Sequence, residues 1–327
     1  MRLVMMGTGP FAVPTFRGLY ETHHTVAALV TGPLRGRGPH SPGATPMRAV
    51  ALEHGTPIYD PEDSNTPESQ AQLASFEADL LIVCDYGQIL SVGTLATARL
   101  GGINLHASLL PKFRGAAPIN WALYFGEKET GVSVIHMTPQ IDAGPVIAQG
   151  STLIDPEETA VELEARLAEI GAWLVRRAID SLEAGILEAL PQDPALASRA
   201  PRLKKTDGLV DWSRPAAAIK NQVRALEPWP KTYTFWHRSH GAPVRLILGP
   251  VTVVPYTGSA LPGTILEATG DRLVIATGEG AAKLESVQPA GKRLMVAAEI
   301  LRGYHLQAGE RLGPEEGNGE EGRRTKD

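Results

Sequence analysis

Residues 1–16 read MRLVMMGTGPFAVPTF and contain the local signals of an α/β fold. Arg2–Met6 is a short apolar run typical of a buried strand, and Gly7 and Gly9 provide a tight turn directly after it. A helix is predicted from about Pro14. The six residues from Gly7 also match G-x-G-x-x-A, the outline of a dinucleotide-binding turn. The opening predicts a strand–turn–helix unit and raises the question of whether its turn binds a nucleotide.

A dinucleotide site also needs an acidic residue after the second strand, about 20 residues on, to hold the ribose hydroxyls. The second apolar run, Thr25–Thr31, has no such residue, because no Asp or Glu lies between Glu21 and Glu53. The sequence therefore favours a plain strand-to-helix turn, and no NAD is expected.

Strand-like runs and helical stretches alternate through the first half of the chain, which predicts a parallel sheet covered by helices, as in Rossmann-like domains. The predicted strands are Arg2–Met6, Thr25–Thr31, Pro57–Tyr59, Asp79–Cys84, Gly102–Leu105 and Val132–Met137, and the predicted helices lie near residues 14–20, 47–54, 67–76 and 157–184. After a proline-rich stretch and one helix, short strands and turns predict a small β-barrel or sandwich.

This pattern divides the chain into four parts. We predict a catalytic α/β domain over residues 1–189, a linker over 190–207, and a small β domain over 208–313. The Gly- and charge-rich residues 314–327 are expected to be a disordered tail.

The composition is that of a globular protein in a reducing compartment. The 327 residues include one cysteine, Cys84, so no internal disulfide can form. No apolar run reaches the length of a membrane span, and the N-terminus does not resemble a signal peptide. We expect a cytoplasmic protein with no membrane partner.

The net charge of −5 is unevenly distributed. Residues 1–198 carry 12 Lys+Arg against 22 Asp+Glu, a net −10, whereas residues 199–313 carry 16 against 9, a net +7. A basic second half suggests a polyanionic partner that meets only that half. A chance distribution of surface charge explains the same numbers equally well.

Polar residues with catalytic potential concentrate in residues 101–123, GGINLHASLLPKFRGAAPINWAL. Asn104 and His106 flank Leu105 at the end of a predicted strand and should share one face. An amide donor beside an imidazole suits a tetrahedral intermediate, with Asp142 as a carboxylate that could fix the imidazole tautomer. The alternative is that Asn104 and His106 only cap backbone groups and that Asp142 is a turn residue. No metal-ligand spacing is present.

The segments NLHASLLPKFRGAAPINWAL and ETGVSVIHMTPQIDAGPVI resemble the formyltransferase family that uses 10-formyltetrahydrofolate. That signature is Asn-x-His-x-Ser-Leu-Leu-Pro, Arg-Gly-Ala-x-Pro, Thr-Gly-Val and Leu-Asp-x-Gly, and only Ile141 departs from it. Further on, DGLVDW, IKNQVRALEPWP and LESVQPAGKRLM are similar to the C-terminal domain of the family members that act on methionyl-tRNA. The resemblance covers residues 2 to 313.

The resemblance implies specific roles. Asn104, His106 and Asp142 match the catalytic trio. The segment lining the folate site is matched by Ser108, Leu109, Leu110 and Pro111, and the loop that faces the pterin ring is matched by Tyr86, Gly87, Gln88, Ile89 and Leu90. The implied fold is a Rossmann-like formyltransferase domain followed by an OB-like barrel that helps hold transfer RNA.

The resemblance also implies the reaction and its partners. The formyl group of 10-formyltetrahydrofolate would move to the α-amine of methionyl initiator tRNA, with no metal cofactor. The acceptor stem would meet Arg37, in the loop 33–46, and the linker lysines Lys204 and Lys205 would bind the tRNA. We expect a monomer. The sequence departs from the family pattern at Gly9-Pro10, Asp85, Ser91 and Lys231-Thr232.

Overall fold

A computed structural model describes residues 1–34, 45–238 and 241–315, and it divides the chain into two compact units. The first unit comprises residues 1–119, 128–155 and 162–202. The second comprises residues 120–127, 156–161 and the chain from residue 203. Two short segments of the first half therefore belong to the second unit. No described helix is long and apolar enough to cross a membrane.

The first unit is built on a seven-stranded sheet with helices along its faces. Its elements are β1 (Arg2–Met6), α1 (Val13–Leu19), β2 (Thr25–Val30), α2 (Pro46–Glu53), β3 (Ile58–Tyr59), α3 (Pro67–Ala74), β4 (Leu80–Cys84), α4 (Val92–Leu95), β5 (Gly102–His106), β6 (Arg114–Gly115), β7 (Glu129–His136), β8 (Val146–Leu153), α6 (Ala160–Glu183) and β9 (Arg199–Ala200). The helix α5 (Pro118–Phe125) lies mostly in the second unit, which includes residues 120–127. β6 and β9 form a separate parallel pair.

The strand order is β3-β2-β1-β4-β5-β7-β8. β1 to β5 run parallel, which confirms the predicted parallel sheet, and the order reverses between β1 and β4. β7 runs antiparallel to both β5 and β8, and residues 137–145 join β7 to β8 as a hairpin. Ligands of such sheets bind at the carboxyl ends of the strands, beside the point of reversal.

Apolar side chains cover both faces of the sheet. Every residue of β4 is buried, which explains its continuous apolar sequence. Val4 and Met6 pack on one face in a cluster with Leu73 and Leu81, whereas Leu3 and Met5 are fully buried on the other. The strands are thereby fixed in register, and their carboxyl ends meet at one edge.

The glycines of the first turn allow strands to approach closely. The Gly7 amide donates to the Val30 carbonyl at 3.0 Å, and a Cβ on Gly7 would lie 2.7 Å from the Cys84 carbonyl oxygen. Pro10 begins a 3-10 turn, Pro10–Ala12, where its missing N–H is not needed. The turn sequence is explained by packing at the strand reversal.

The second unit has an antiparallel core of two sheets, ordered β17-β16-β11-β10-β18 and β12-β15-β14-β13. Its elements are α7 (Ala216–Ala225), β10 (Tyr233–His237), β11 (Val244–Leu248), β12 (Val251–Val254), β13 (Ile265–Thr269), β14 (Arg272–Ala276), β15 (Ala281–Leu284), β16 (Ser286–Pro289), β17 (Met295–Val296), α8 (Ala297–Tyr304) and β18 (Arg311–Gly313). Trp212, Trp236 and Leu246 lie in its core. The predicted small β domain is confirmed, and the OB-like detail stays a prediction.

Part of the predicted linker, residues 190–207, forms backbone pairings with the first unit. Leu190 bridges to Val146, and Arg199–Ala200 forms β9 against β6 within the first unit. The predicted domain boundaries at residues 189, 207 and 313 stay predictions. Residues 316–327 of the predicted tail lie outside the described residues.

A helical glycine behind the candidate catalytic strand gives a stability prediction. A Cβ on Gly171 of α6 would lie 2.5 Å from Cδ2 of Leu105, which is 3% exposed in β5. Overpacking of a core costs about 1–3 kcal/mol, which exceeds the roughly 1 kcal/mol that alanine gains over glycine in a helix. Gly171→Ala should therefore lower the free energy of unfolding of the first unit, measured by calorimetry or urea denaturation.

Gly18→Ala is the matched control, because Gly18 lies in α1 and its added Cβ would meet nothing closer than 3.5 Å. This variant should be as stable as the parent or more stable. Equal stability of the two alanine variants would contradict the overpacking argument.

Candidate active site

The carboxyl end of β5 brings Asn104 and His106 to one face of the sheet, level with the end of β4. Asn104 is half-buried, and its amide makes no hydrogen bond to any residue in the described ranges. His106 is buried, at 6% exposure. An amide with its donors unused at a strand end is available to a ligand, whereas the imidazole is held by the protein.

Both imidazole nitrogens of His106 face oxygen atoms. Nε2 lies 2.9 Å from the Phe113 carbonyl oxygen, and Nδ1 lies 3.6 Å from Oδ2 of Asp142. Because a carbonyl only accepts, Nε2 carries the hydrogen and donates it to Phe113. Nδ1 is then the nitrogen directed at the carboxylate. The structure thus brings together His106 and Asp142, which are distant in sequence.

Asp142 is held in the loop between β7 and β8. Its Oδ2 accepts a hydrogen bond from the Gly115 amide at 2.9 Å, and its backbone has a left-handed φ of 50°. Two residues on, a Cβ at Gly144 would lie 1.7 Å from the His136 carbonyl oxygen, so only glycine fits there. The loop sequence Asp-Ala-Gly is therefore required by this tight turn.

The loop at residues 86–90 has unused main-chain donors. The amide groups of Gly87, Gln88, Ile89 and Leu90 make no hydrogen bond to the part of the chain that the structure describes. The side chain of Gln88 is occupied instead, because its Oε1 accepts from the Ser64 amide at 2.9 Å and its Nε2 donates to the Glu62 carbonyl. A planar ligand with several acceptors could bind along this backbone.

Tyr86 and Ser91 anchor the two ends of that loop. The buried Tyr86 hydroxyl bonds to Ser64 Oγ, and burial raises the pKa of Tyr86. The Ser91 amide donates to Asn65 Oδ1 at 2.7 Å, and Ser91 Oγ caps α4 by accepting from the Thr94 amide. A proline could not donate the first of these bonds, which explains serine at this position.

The segment from Ser108 to Pro111 is fixed largely by polar contacts behind it. Ser108 Oγ donates to the Lys112 carbonyl at 2.6 Å, and the Leu110 amide donates to Ser133 Oγ at 3.0 Å. Gln149 Nε2 donates to the Leu110 carbonyl at 2.8 Å. Leu109 and Pro111 are half-buried. These contacts set the shape of the segment, and its contact with folate stays a prediction.

Asp85 lies directly after β4 and packs against the first turn. A Cβ on Gly9 would lie 1.7 Å from Asp85 Oδ2, so glycine at position 9 makes room for this carboxylate. Desolvation raises the pKa of Asp85. The pKa of Glu164 in α6 is also raised, by desolvation and by the charge of Asp85. The two departures from the family pattern, Gly9 and Asp85, are therefore packed against each other.

The remaining predicted site residues are those proposed to bind tRNA. Lys204 and Lys205 are exposed in the second unit, next to the 3-10 turn Lys205–Gly208. Arg37 lies outside the described residues. Sequence reasoning missed Phe113, Gly115 and Gln192, which contact the trio or its loops, because nothing in their spacing marks them.

A second histidine cluster lies at the opposite edge of the sheet. Donor atoms of His23, His24 and Glu183 lie within 4.8 Å of one another. His23 Nε2 and Glu183 Oε2 are 2.7 Å apart, so a hydrogen bond already accounts for this pair. The cluster carries no part of the chemistry described above.

The chain is similar to known proteins over most of its length. Residues 1–179 match the family described as Formyl transferase, and residues 202–305 match Formyl transferase, C-terminal domain. The chain is 44% identical to the methionyl-tRNA formyltransferase of Rhodopirellula baltica, covering 95% of this chain and 96% of that one. It is 41% identical to the methionyl-tRNA formyltransferase of Citrifermentans bemidjiense, with 96% of each chain covered.

Solved structures show the same fold at low identity. An N-formyltransferase from Helicobacter canadensis in complex with folinic acid and dTDP-3-aminofucose has a TM-score of 0.63 at 16% identity, covering 88% of this chain and 98% of that one. HypX from Aquifex aeolicus in complex with tetrahydrofolic acid has a TM-score of 0.58 at 16% identity, covering 92% and 48%. With both of its domains matched and relatives aligned over nearly their full length, the chain belongs to the formyl transferase family, and its curated relatives within that family are methionyl-tRNA formyltransferases.

Proposed function

We propose that this protein transfers the formyl group of 10-formyltetrahydrofolate to the α-amino group of methionyl initiator tRNA, giving N-formylmethionyl-tRNA. The proposal rests on the presence of Asn104, His106 and Asp142, with His106 beside Asp142, in a chain that matches methionyl-tRNA formyltransferases over nearly its full length. A bond forms between the α-amino nitrogen and the formyl carbon. The bond from that carbon to N10 of the folate breaks.

The attacking amine must be neutral, and its attack develops negative charge on the formyl oxygen. The unpartnered amide of Asn104 is suited to donate a hydrogen bond to that oxygen. His106 donates from Nε2 to Phe113, so in this arrangement its contribution runs through Nδ1 and Asp142. Asn104 is therefore the proposed hydrogen-bond donor to the developing charge.

The amine loses a proton and N10 gains one when the carbon–nitrogen bond breaks. Asp142 is placed to accept the first proton and return it, directly or through one water molecule. Nδ1 of His106, 3.6 Å from Oδ2, is the neighbouring group that can share the proton. Hydrogen bonding from Gly115 keeps the carboxylate in place during this relay.

The unused amides of residues 87–90 support the assignment of that loop to the folate ring, and Ser108 to Pro111 are proposed to line the same site. The formyl donor is a co-substrate, released as tetrahydrofolate after each turnover. We further propose that the protein acts as a monomer, and that it acts in the cytoplasm, the location expected from its single cysteine.

One assay tests the reaction itself. The protein is incubated with 10-formyltetrahydrofolate and methionyl initiator tRNA, and N-formylmethionine is measured after ester hydrolysis. A glycinamide-type or amino-sugar acceptor in parallel tests the competing formyltransferase activities. Formylation of one of those acceptors and not of the tRNA would reject the proposed substrate. RNA binding with no formyl transfer to any acceptor would identify a non-catalytic RNA-binding protein.

Unpaired surface cations are the proposed phosphate contacts. The side chains of Lys204 and Lys205 form no ion pair with any residue in the described ranges, although the Lys204 main-chain amide donates to the Asp207 carboxylate at 2.6 Å. Arg272 and Arg293, in contrast, pair with Glu267 and Glu299 at 2.7 and 3.0 Å. Only uncompensated cations bind phosphate without first losing an ion pair. Lys204 and Lys205 are therefore the first candidates, and Arg37 is retained as an acceptor-stem contact on the family resemblance.

Arg245 is a further candidate in the second unit. Its guanidinium lies 4.1 Å from the centroid of the Tyr233 ring, and the ring of Phe235 is 6.0 Å from that of Tyr233. These three half-buried side chains come from the paired strands β10 and β11. Aromatic rings beside arginine are a common surface for unstacked bases.

Replacing both Lys204 and Lys205 with Gln should weaken binding of methionyl initiator tRNA and reduce its salt dependence. Each lost phosphate contact lowers the slope of log K against log salt by about 0.7–0.9. The KM for the formyl donor should not change. Arg272→Gln with Arg293→Gln is the matched control, and it should leave the slope unaltered. If the affinity of the unmutated protein for methionyl initiator tRNA did not depend on salt concentration, the electrostatic assignment would be contradicted.

A further inference from the structure

Residues 190–200, here called the clamp segment, bind the loop that carries Asp142 and the segment 113–115 that contacts His106 and Asp142. Leu190 and Val146 exchange two main-chain hydrogen bonds of 2.8 Å, beside the Asp142 loop. Ser198 Oγ accepts from the Phe113 amide at 2.9 Å, and the Ser198 carbonyl accepts from the Arg114 amide at 2.9 Å. The clamp segment thus restrains the Asp142 loop and Phe113, the residue before β6 that supplies the carbonyl partner of His106.

Gln192 lies between these two attachments and links them through one amide. Its Nε2 donates to the main-chain carbonyls of Asp142 and Gly144, at 2.8 and 2.7 Å. Its Oε1 accepts from Nε and Nη2 of Arg114, at 3.0 and 2.7 Å. Both hydrogens and both lone pairs of the amide are therefore used. The orientation is fixed, because the opposite one would place the NH₂ group against the guanidinium.

The two carbonyls bound by Gln192 belong to the part of the loop with least freedom. Asp142 has a φ of 50°, and Gly144 has no space for a Cβ. A residue in the left-handed region costs on the order of 1–3 kcal/mol and persists where its surroundings impose it. Gln192 is the one side chain in the described ranges that binds the main chain of Asp142, so it helps to hold this strained turn.

The position of the Asp142 carboxylate follows from the position of its main chain. The 3.6 Å separation between Oδ2 and His106 Nδ1 is short enough for a small loop movement to close it or to break it. Arg114, which Gln192 also binds, immediately precedes Gly115, the amide donor to the same Oδ2. One side chain therefore restrains the carboxylate from its own loop and from the strand that binds it.

We propose that Gln192 is a positioning residue for formyl transfer, which holds Asp142 at its working distance from His106 without touching the reacting atoms. The inference rests on the proposed function, since it assigns Gln192 a role in that reaction. With this role for Gln192, the clamp segment, which lies between the predicted domains, contributes directly to the geometry of the site.

The test is a double-mutant cycle in the full-length protein. Gln192→Met keeps the length of the side chain and removes all four hydrogen bonds. It should lower kcat about 10- to 100-fold, the effect of misplacing a catalytic group by less than about 1 Å. KM for the formyl donor and for methionyl initiator tRNA should stay within about threefold, because binding residues are untouched. In an Asp142→Asn background the same change should cost less than about twofold.

Two further variants keep the proposal falsifiable. Gln192→Glu retains the bond to Arg114 and directs a carboxylate oxygen at the two carbonyls, so its kcat should also fall, and it replaces Gln192→Met if that variant does not fold. Asp193→Asn is the matched control, because either side chain can cap the following 3-10 turn. It should keep parental kcat.

The outcomes separate two failures. An unmutated protein without formyl transfer to methionyl initiator tRNA would reject the proposed function. An active unmutated protein would overturn the Gln192 inference in either of two cases. In the first case, the folded Gln192 variant has a kcat within about twofold of the parent. In the second case, the Gln192 substitution lowers kcat by the same factor in the Asp142→Asn background as in the parent.

Discussion

Asp142→Asn is expected to lower kcat by about 10²–10⁴-fold, the range for removal of a general acid–base group. The amide keeps the shape of the side chain and an oxygen that can accept from the Gly115 amide, at 2.9 Å in the parent. It cannot accept the proton released by the attacking amine. The substitution should therefore lower kcat and leave the free energy of unfolding almost unchanged. Steady-state kinetics with both substrates measures it.

Affinity for the formyl donor should stay within a few-fold in this variant, and in Asp142→Ala, as measured by calorimetric titration with a folate analogue. Asp193→Asn removes an exposed carboxylate outside the site and should turn over like the parent. Near-normal turnover of Asp142→Asn would remove Asp142 from the proton relay. The proposal would then have to place that relay on His106 alone.

Asn104→Ala should lower kcat about 10²–10³-fold, as the loss of one oxyanion donor does elsewhere. The Asn104 amide makes no hydrogen bond within the described residues, so its removal leaves no buried protein group without a partner. The free energy of unfolding should change little. Single-turnover measurements at saturating substrate would place the loss in the chemical step.

Asn120→Ala provides the contrasting control. Asn120 Nδ2 donates to the Ala225 carbonyl at 2.7 Å in the second unit, so its loss should reduce stability by about 1 kcal/mol. Its kcat should match the parent. If Asn104→Ala instead destabilised the fold and left kcat unchanged, the strand-end amide would be a structural group and not an oxyanion donor.

Local sequence patterns were sufficient to predict most of the first sheet. The apolar run predicted at Asp79–Cys84 forms β4 over Leu80–Cys84, because a strand buried on both faces needs continuous apolar sequence. The period of two also placed Asn104 and His106 on one face. The direction of β7 and β8 could not be predicted, since an antiparallel strand and a parallel strand can share the same apolar pattern.

The contacts that complete the site could not be predicted in the same way. Gln192 is 50 residues from Asp142 and 78 from Arg114, and no periodicity connects them. The clamp segment has a proline-rich, polar sequence that is typical of a linker. Its structure depends on hydrogen bonds to main-chain groups of distant loops, and these leave no mark in the local sequence.

The division of the chain into two units also depends on contacts between residues that are distant in sequence. Residues 120–127 and 156–161 belong to the second unit although they occur within the first half of the sequence. Arg224, for example, donates to the Glu158 carbonyl at 3.0 Å, and Lys220 pairs with Glu157. Such contacts depend on tertiary packing, and a boundary drawn from changes in composition does not detect them.

The pairing of β6 with β9 also sets an order of events during synthesis. A ribosome releases Asn104, His106 and Asp142 long before the clamp segment, and a nascent chain that ends at residue 189 lacks every residue of that segment. Such a chain contains the whole trio but none of the hydrogen bonds through which Gln192 and Ser198 hold its loops. The proposed active-site geometry can therefore be completed only after residues 190–200 have emerged.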